Sequence, residues 1–253
     1  MQRIKYLHGK VIIKDHIIAG SVGMSARRGF SVIMPVYNEE RTSHRIIRRV
    51  LARKEVDRLI IVYDTRSSDG TLPEIARAIK GDGRVLLLKR RLHGKGSNIR
   101  LGIGRVRSGP IIIQDADEEY YPEDYPKLLR ELRNGQPVFG YRRLAYGRDY
   151  GYRLGNVVNR VTSSAFDLLF GQRVRDVNVC YKAFTKEMLG GRRLDEDGFT
   201  IEIEIAAALA KNGYRIANVP IRYNGRSWEE GKKIAWRDGV ALFLAVFKER
   251  LLP

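Results

Sequence analysis

Four of the five residues from 115 to 119 are acids: Asp115, Asp117, Glu118 and Glu119. They follow Pro110-Ile111-Ile112-Ile113, a β-branched run of the kind that forms a strand buried on both faces of a parallel sheet. Four negative charges at the tip of an apolar strand repel one another unless a cation sits among them. A divalent ion answers that repulsion, because hard cations take oxygen ligands and bridge to phosphate oxygens. Asp115 and Asp117 have the i, i+2 spacing that sends both side chains from one face of a straight strand. The alternative reading is a solvated acidic turn. Burial of the preceding strand favours a site, since open parallel sheets bind ligands at the carboxyl ends of their strands.

The elements that would position these acids follow a regular alternation. Residues 31–37 read as a strand, and 41–54 as a helix with Ile46, Ile47, Val50 and Leu51 on one side. Residues 58–64 form the next strand, Ser67-Ser68-Asp69-Gly70 a turn, and 72–80 a helix. A third strand over 84–89 and a helix over 97–106, opened by Gly94-Lys95-Gly96, lead into the acidic strand. Beyond it come a helix over 125–133, a strand over 137–143, a helix over 155–170, an extended stretch over 176–184, a helix over 201–211 and a strand over 214–223. This order predicts an α/β fold with a mostly parallel, doubly wound sheet. Residues 1–29 form an N-terminal extension with room for a short hairpin, and residues 30–225 the main domain. In residues 226–253, Val240, Phe243, Leu244, Phe247 and Leu251 fall on one stripe from Trp236, predicting an amphipathic C-terminal helix. Such a helix either docks on the domain or lies in a lipid head-group layer.

Composition narrows the setting. With 47 Lys and Arg against 29 Asp and Glu the net charge is +18, a field that favours polyanionic partners. A nucleic-acid-binding protein is one reading of that charge, but no recognisable reader motif accompanies it. The single cysteine, Cys180, excludes an intramolecular disulfide, suits a reducing compartment and reads as a small buried hydrophobe. No apolar run approaches the roughly 20 residues that span a bilayer, and no basic-then-apolar leader is visible at the start. The expectation is a cytoplasmic protein lying peripherally on the cytoplasmic face of a membrane rather than crossing it.

Seven motifs in order resemble the family 2 glycosyltransferases of the GT-A (nucleotide-diphospho-sugar transferase) fold, and within them the dolichyl-phosphate or polyprenyl-phosphate mannose and glucose synthases. They are residues 31–40 (SVIMPVYNEE), 68–71 (SDGT), 94–96 (GKG), 114–119 (QDADEE), 176–182 (DVNVCYK), 198–202 (GFTIE) and 225–234 (GRSWEEGKKI). The resemblance implies that Pro35, Tyr37 and Glu39 hold the donor's base and ribose and that Asp64 binds the nucleotide too. It implies that Asp115, Asp117 and Glu119 place Mg2+ or Mn2+ against the donor diphosphate. Arg142 and Arg153 would bind the acceptor phosphate, while Arg226, Lys232 and Lys95 would serve the donor. Glu202 would orient the acceptor side, with a structural salt bridge as the alternative. The implied reaction moves a hexose from GDP-mannose or UDP-glucose to a polyprenyl phosphate, inverting at the anomeric carbon. An anionic membrane surface and a membrane-anchoring subunit join the expected partners; nucleic acid does not. A same-fold enzyme with a soluble or protein-linked acceptor is the runner-up.

Two departures stand out against this resemblance. The second strand is followed by Asp64-Thr65-Arg66-Ser67, where the family usually carries a further acid and a small turn residue. Glu118 stands where an apolar residue is common, making the acidic cluster unusually charged.

Overall fold

Runs of β-branched and aliphatic residues become inner strands here because both of their faces are covered. The computed structural model describes residues 5–7, 10–13, 16–18, 29–142, 150–226 and 236–252. They group into two compact units, Met1–Glu118 and Glu119–Pro253.

The first unit begins with β1 (Lys5–Leu7), β2 (Lys10–Ile13) and β3 (His16–Ile18). It continues with β4 (Phe30–Val36), α1 (Ser43–Leu51), β5 (Val56–Asp64), α2 (Thr71–Ala78), β6 (Val85–Arg90), α3 (Lys95–Ile103) and β7 (Pro110–Ile113). The strand order is β1-β2-β3-β6-β5-β4-β7. β6, β5, β4 and β7 pair in parallel, and β5, β6 and β7 are each reached through a helix. Val32 and Ile33, residues 59–62 and residues 111–113 have no exposed surface, which explains why these strands lack polar alternation. α3 lies close on β4 because Gly102 carries no side chain; a Cβ there would sit 2.4 Å from Ile33 Cγ2.

The N-terminal extension forms more than a hairpin. β1, β2 and β3 make an antiparallel meander, and β3 pairs with the β6 edge in the register His16 to Leu88. An open strand edge with unpaired backbone groups is a ready template for such pairing. A second difference concerns the acids. β7 stops at Ile113, so Asp115 and Asp117 stand on the loop beyond it, where the same-face rule of a straight strand does not apply.

The second unit comprises α4 (Tyr125–Leu132), β8 (Val138–Arg142), α5 (Tyr150–Phe170), β9 (Lys182–Thr185), α6 (Ile201–Lys211), β10 (Ala217–Ile221) and α7 (Trp236–Leu251). β8 lies between β9, antiparallel, and β10, parallel. The extended stretch expected over 176–184 is a strand only over its last three residues. α6 is apolar nearly all round and is buried accordingly.

α7 settles the choice between docked and exposed in an unexpected way. It packs on α5 and α6 through Leu242, Ala245 and Val246, and Gly239 lets it approach Val158. The stripe of Val240, Leu244, Phe247 and Leu251 points the other way and is exposed. Among the described residues, no helix is long and apolar enough to cross a membrane.

Candidate active site

In the first unit the site-forming groups stand at the carboxyl ends of β4, β5 and β7. β4 ends in a left-handed residue, Asn38 at φ +48°. Asparagine tolerates that conformation better than most side chains, and the turn is held by reciprocal bonds. Asn38 N–H donates to Ser67 Oγ at 3.1 Å, and Ser68 N–H donates to Asn38 Oδ1 at 2.9 Å. Glu39 N–H donates to Thr71 Oγ1 at 2.8 Å, and Glu40 N–H donates to Asp69 Oδ2 at 3.1 Å. The SDGT motif therefore clips the loop that carries Tyr37 and Glu39. Gly70 leaves room for the Glu40 side chain, whose Oε1 would lie 2.4 Å from a Cβ there. Pro35 lies within β4 and Tyr37 is exposed just past its end.

Asp64 closes β5 and is fully buried. Its Oδ2 accepts Arg66 Nε at 3.0 Å and Nη2 at 2.6 Å, and its Oδ1 accepts Arg66 N–H at 3.0 Å. Burial alone would push this carboxyl up, but the Arg66 bonds outweigh it and hold Asp64 below the usual carboxylate range. The Arg66 guanidinium also lies 5.6 Å over the Tyr37 ring. The departure noted in the sequence thus joins two of the residues expected to hold the nucleotide.

Cationic side chains stand beside the acids that follow β7. Asp115 Oδ1 is 2.8 Å from Lys95 Nζ, in the first turn of α3, and Glu118 accepts Arg45 Nε at 2.9 Å. Asp117 is buried, and the neighbouring Ala116 carbonyl lies 3.1 Å from the Thr42 hydroxyl, itself 2.8 Å from Glu39 Oε2. The electrostatic repulsion that motivated a metal is thus met in large part by side-chain cations. Among the described residues, no three potential metal ligands converge.

Glu119 opens the second unit and is engaged there. It accepts Tyr223 Oη at 2.8 Å and Arg226 N–H at 2.9 Å, with Arg226 Nε at 3.3 Å. Burial pushes the Tyr223 phenol well above its usual value, so it donates to Glu119 as a neutral hydroxyl. Arg142 ends β8 and forms a two-pronged pair with Asp176, Nε to Oδ2 at 2.7 Å and Nη2 to Oδ1 at 2.9 Å. Burial would favour losing the Arg142 proton, yet Asp176 outweighs it and keeps the guanidinium charged. The same guanidinium lies 5.1 Å from the Tyr223 ring centroid. Asp176 was visible only as part of a motif; its partner is 34 residues earlier.

Glu202 turns inward. Its carboxylate is 2.6 Å from Lys182 Nζ, both side chains are buried, and the ammonium also donates to the Val179 carbonyl. This is the salt-bridge alternative, and burial is its physical reason. Cys180 is buried and takes part in no disulfide. Arg153 belongs to α5 by its backbone, but its side chain lies outside the described residues, as does Lys232.

The chain is 30% identical over 220 residues to glycosyltransferase AglJ of Haloferax volcanii, covering 86% of this chain and 70% of that protein. It is also 30% identical over 206 residues to the dolichyl-phosphate hexose transferase of the same organism, covering 79% and 84% respectively. The fold is similar to that of glucosyl-3-phosphoglycerate synthase from Mycobacterium tuberculosis, solved with Mn2+, UDP and glucosyl-3-phosphoglycerate. The TM-score is 0.65 at 21% identity, over 89% of this chain and 81% of that one. The α/β architecture is therefore GT-A-like. Residues 31–190 match the sequence model of Glycosyl transferase family 2, and the chain belongs to that family of enzymes.

Proposed function

We propose that this glycosyltransferase moves a hexose from a nucleoside diphosphate sugar to a polyprenyl phosphate at the cytoplasmic face of a membrane, inverting the anomeric carbon. The observation that carries the acceptor is the 30% identity over most of a dolichyl-phosphate hexose transferase. Similarity to a synthase crystallised with UDP and Mn2+ supports a nucleotide-sugar donor held at the first unit's strand ends.

Asp115 and Asp117 supply two hard oxygen donors on one loop beside the Lys95 ammonium. That set suits an ion that keeps several waters and takes other ligands from a diphosphate, rather than an all-protein cage. Mg2+ or Mn2+ bound there would neutralise charge building on the leaving nucleoside diphosphate. Lys95 would add a fixed positive charge at the same oxygens. Glu119, already bonded to Tyr223 and Arg226, serves this reading better as the residue that orients Arg226.

No side chain need remove a proton from the acceptor. A phosphate monoester has a second pKa of about 6 and arrives ionised at neutral pH. The protein's task is alignment and charge stabilisation. Arg142 offers a guanidinium that Asp176 holds in one orientation, and a planar fork suits phosphate. Arg153 and Lys232 keep the roles implied by their motifs.

The membrane part rests on the apolar surface of the second unit. Val240, Leu244, Phe247 and Leu251 of α7 are exposed, as are Val157, Val161 and Leu168 of α5, which packs beside it. Leu251 and Leu168 are 85% and 84% exposed, more than a soluble surface needs. The high positive charge fits an anionic lipid surface.

The test is transfer from a panel of nucleotide sugars, with Mn2+ or Mg2+, to a short-chain polyprenyl phosphate and to soluble acceptors. A polyprenyl-phosphosugar product detected by mass spectrometry is expected. Asp117→Ala should lower turnover by roughly 10²–10³-fold without loss of the folded state by circular dichroism. Transfer only to soluble acceptors would overturn the lipid reading, and normal turnover by the variant would overturn the acidic site.

A further inference from the structure

The second unit contains a cavity of about 730 Å³ that none of the roles above uses. Arg160 of α5, Arg173 and Arg175 of the following loop, Tyr141 of β8 and Asn218 of β10 line it. Tyr141 neighbours Arg142 on a strand, so the two side chains leave opposite faces of the sheet. The cavity is thereby separated from the Arg142–Asp176 pair.

Three guanidiniums on one concavity repel one another, and among the described residues no carboxylate forms an ion pair with any of them. The acid in the lining, Asp167, already accepts Val174 N–H at 2.6 Å. The loop bearing two of the arginines is held in place. Arg175 N–H donates to Asn218 Oδ1 at 2.9 Å, and Asn218 Nδ2 donates to the Arg173 carbonyl at 2.7 Å. Gln172 Nε2 donates to the Tyr214 carbonyl at 3.0 Å, and Arg215 donates to the Gly171 carbonyl. The Arg175 guanidinium is stacked 4.7 Å from the Tyr141 ring centroid. The loop backbone and the Arg175 guanidinium are thus held before any anion arrives, which lowers the ordering cost of binding one.

We infer that this cavity is a phosphate-binding site, distinct from the donor and acceptor sites. The guanidinium fork matches phosphate oxygens, and the Asn218 amide and the Ser164 hydroxyl add neutral polar groups beside it. The phosphate comes either from a soluble phosphorylated molecule or from a phospholipid headgroup. Arg160 and Ser164 share a face of α5 with the exposed Val157, Val161 and Leu168, which would meet acyl chains in the second case. That lipid source rests on the membrane-surface reading; the site itself does not.

Isothermal titration of the full chain with inorganic phosphate and glycerol 3-phosphate measures the site directly. The double variant Arg160→Gln, Arg173→Gln should bind both at least tenfold more weakly. A control with the same charge loss, Arg130→Gln, Arg193→Gln, removes two exposed arginines elsewhere and should bind like the wild type. Transfer to the short-chain polyprenyl phosphate should be unchanged in both. Flotation with phosphatidylcholine vesicles, with and without phosphatidylglycerol, separates the sources. Loss of phosphatidylglycerol-dependent flotation in the first variant alone assigns a headgroup. Unchanged flotation, or none in the wild type, with phosphate binding lost in that variant, assigns a soluble ligand. Absence of phosphate binding by the wild type, or equal weakening in both double variants, overturns the site.

Discussion

Two arginine–carboxylate pairs close strands in the two units, and they are built differently. Arg66 reaches back two residues to Asp64, whereas Arg142 reaches across 34 residues to Asp176. Both aspartates are buried, and both guanidiniums keep some surface, 35% and 23% exposed. The first pair occupies the Asp64 carboxylate. The second leaves a guanidinium aimed and charged while its aspartate is spent on holding it. Under the proposed function, one contact would therefore compete with the nucleotide, and the other would prepare for the acceptor phosphate. Lys182–Glu202, with neither partner exposed, is a third kind of pair that can do neither.

The comparison breaks most visibly at that third pair. Glu202→Gln leaves Lys182 buried without its counter-charge, and stability should fall by about 3–5 kcal/mol in chemical denaturation. Lys182→Met with Glu202→Leu should recover most of the loss. Full stability in Glu202→Gln with turnover abolished would instead put Glu202 to work on the acceptor.

Asp176→Asn frees Arg142, and the expected result is an acceptor KM raised about tenfold, close to 1.4 kcal/mol, with donor KM unchanged. A matching rise in donor KM would show that the pair supports the whole site rather than aiming one guanidinium. Arg66→Ala should do the reverse on the other unit. It costs about 1–3 kcal/mol of stability by leaving a buried carboxylate short of partners, and it should lower donor KM severalfold by releasing Asp64. A raised donor KM would make Arg66 itself a nucleotide ligand.

The smallest effect is in pH. Asp64 is held below its ordinary value, and so is Asp124, where bonds from Arg222 and Lys127 outweigh the effect of burial. A carboxylate whose folded pKa is depressed stabilises the protein above its unfolded value, about 3.9, and that contribution is lost as pH falls through the lower folded value. Asp64→Asn and Asp124→Asn should each flatten the loss of stability on acidification below about pH 4, read by thermal melts across the acid range. An unchanged slope would remove these pairs from the acid response.

Much of the first unit was legible because its information is local. Strand 58–64 and helix 72–80 differ little from β5 and α2, since aliphatic runs and helical periodicity act over a few residues. The SDGT and GKG motifs marked the loops that carry the site. That Asp115 and Asp117 stand on a loop was not legible, because nothing in Ile113-Gln114-Asp115 announces where pairing stops. The departure at Arg66 was visible, but not that its guanidinium would cover Asp64. In the second unit, Glu119 with Arg226 and Asp124 with Arg222 lie 107 and 98 residues apart, beyond the reach of any pattern in the chain.

From residues alone came the alternation of strand and helix, the acids beyond an apolar strand, the basic charge and the family likeness. These depend on side-chain chemistry and short-range periodicity, which survive in a linear string. Tertiary structure alone decided which cation each acid receives, that Glu202 is a buried partner, and that the apolar stripe of α7 faces outward. It also decided that three arginines share one cavity. Such outcomes depend on which faces of distant elements are covered, and coverage exists only once the chain has packed.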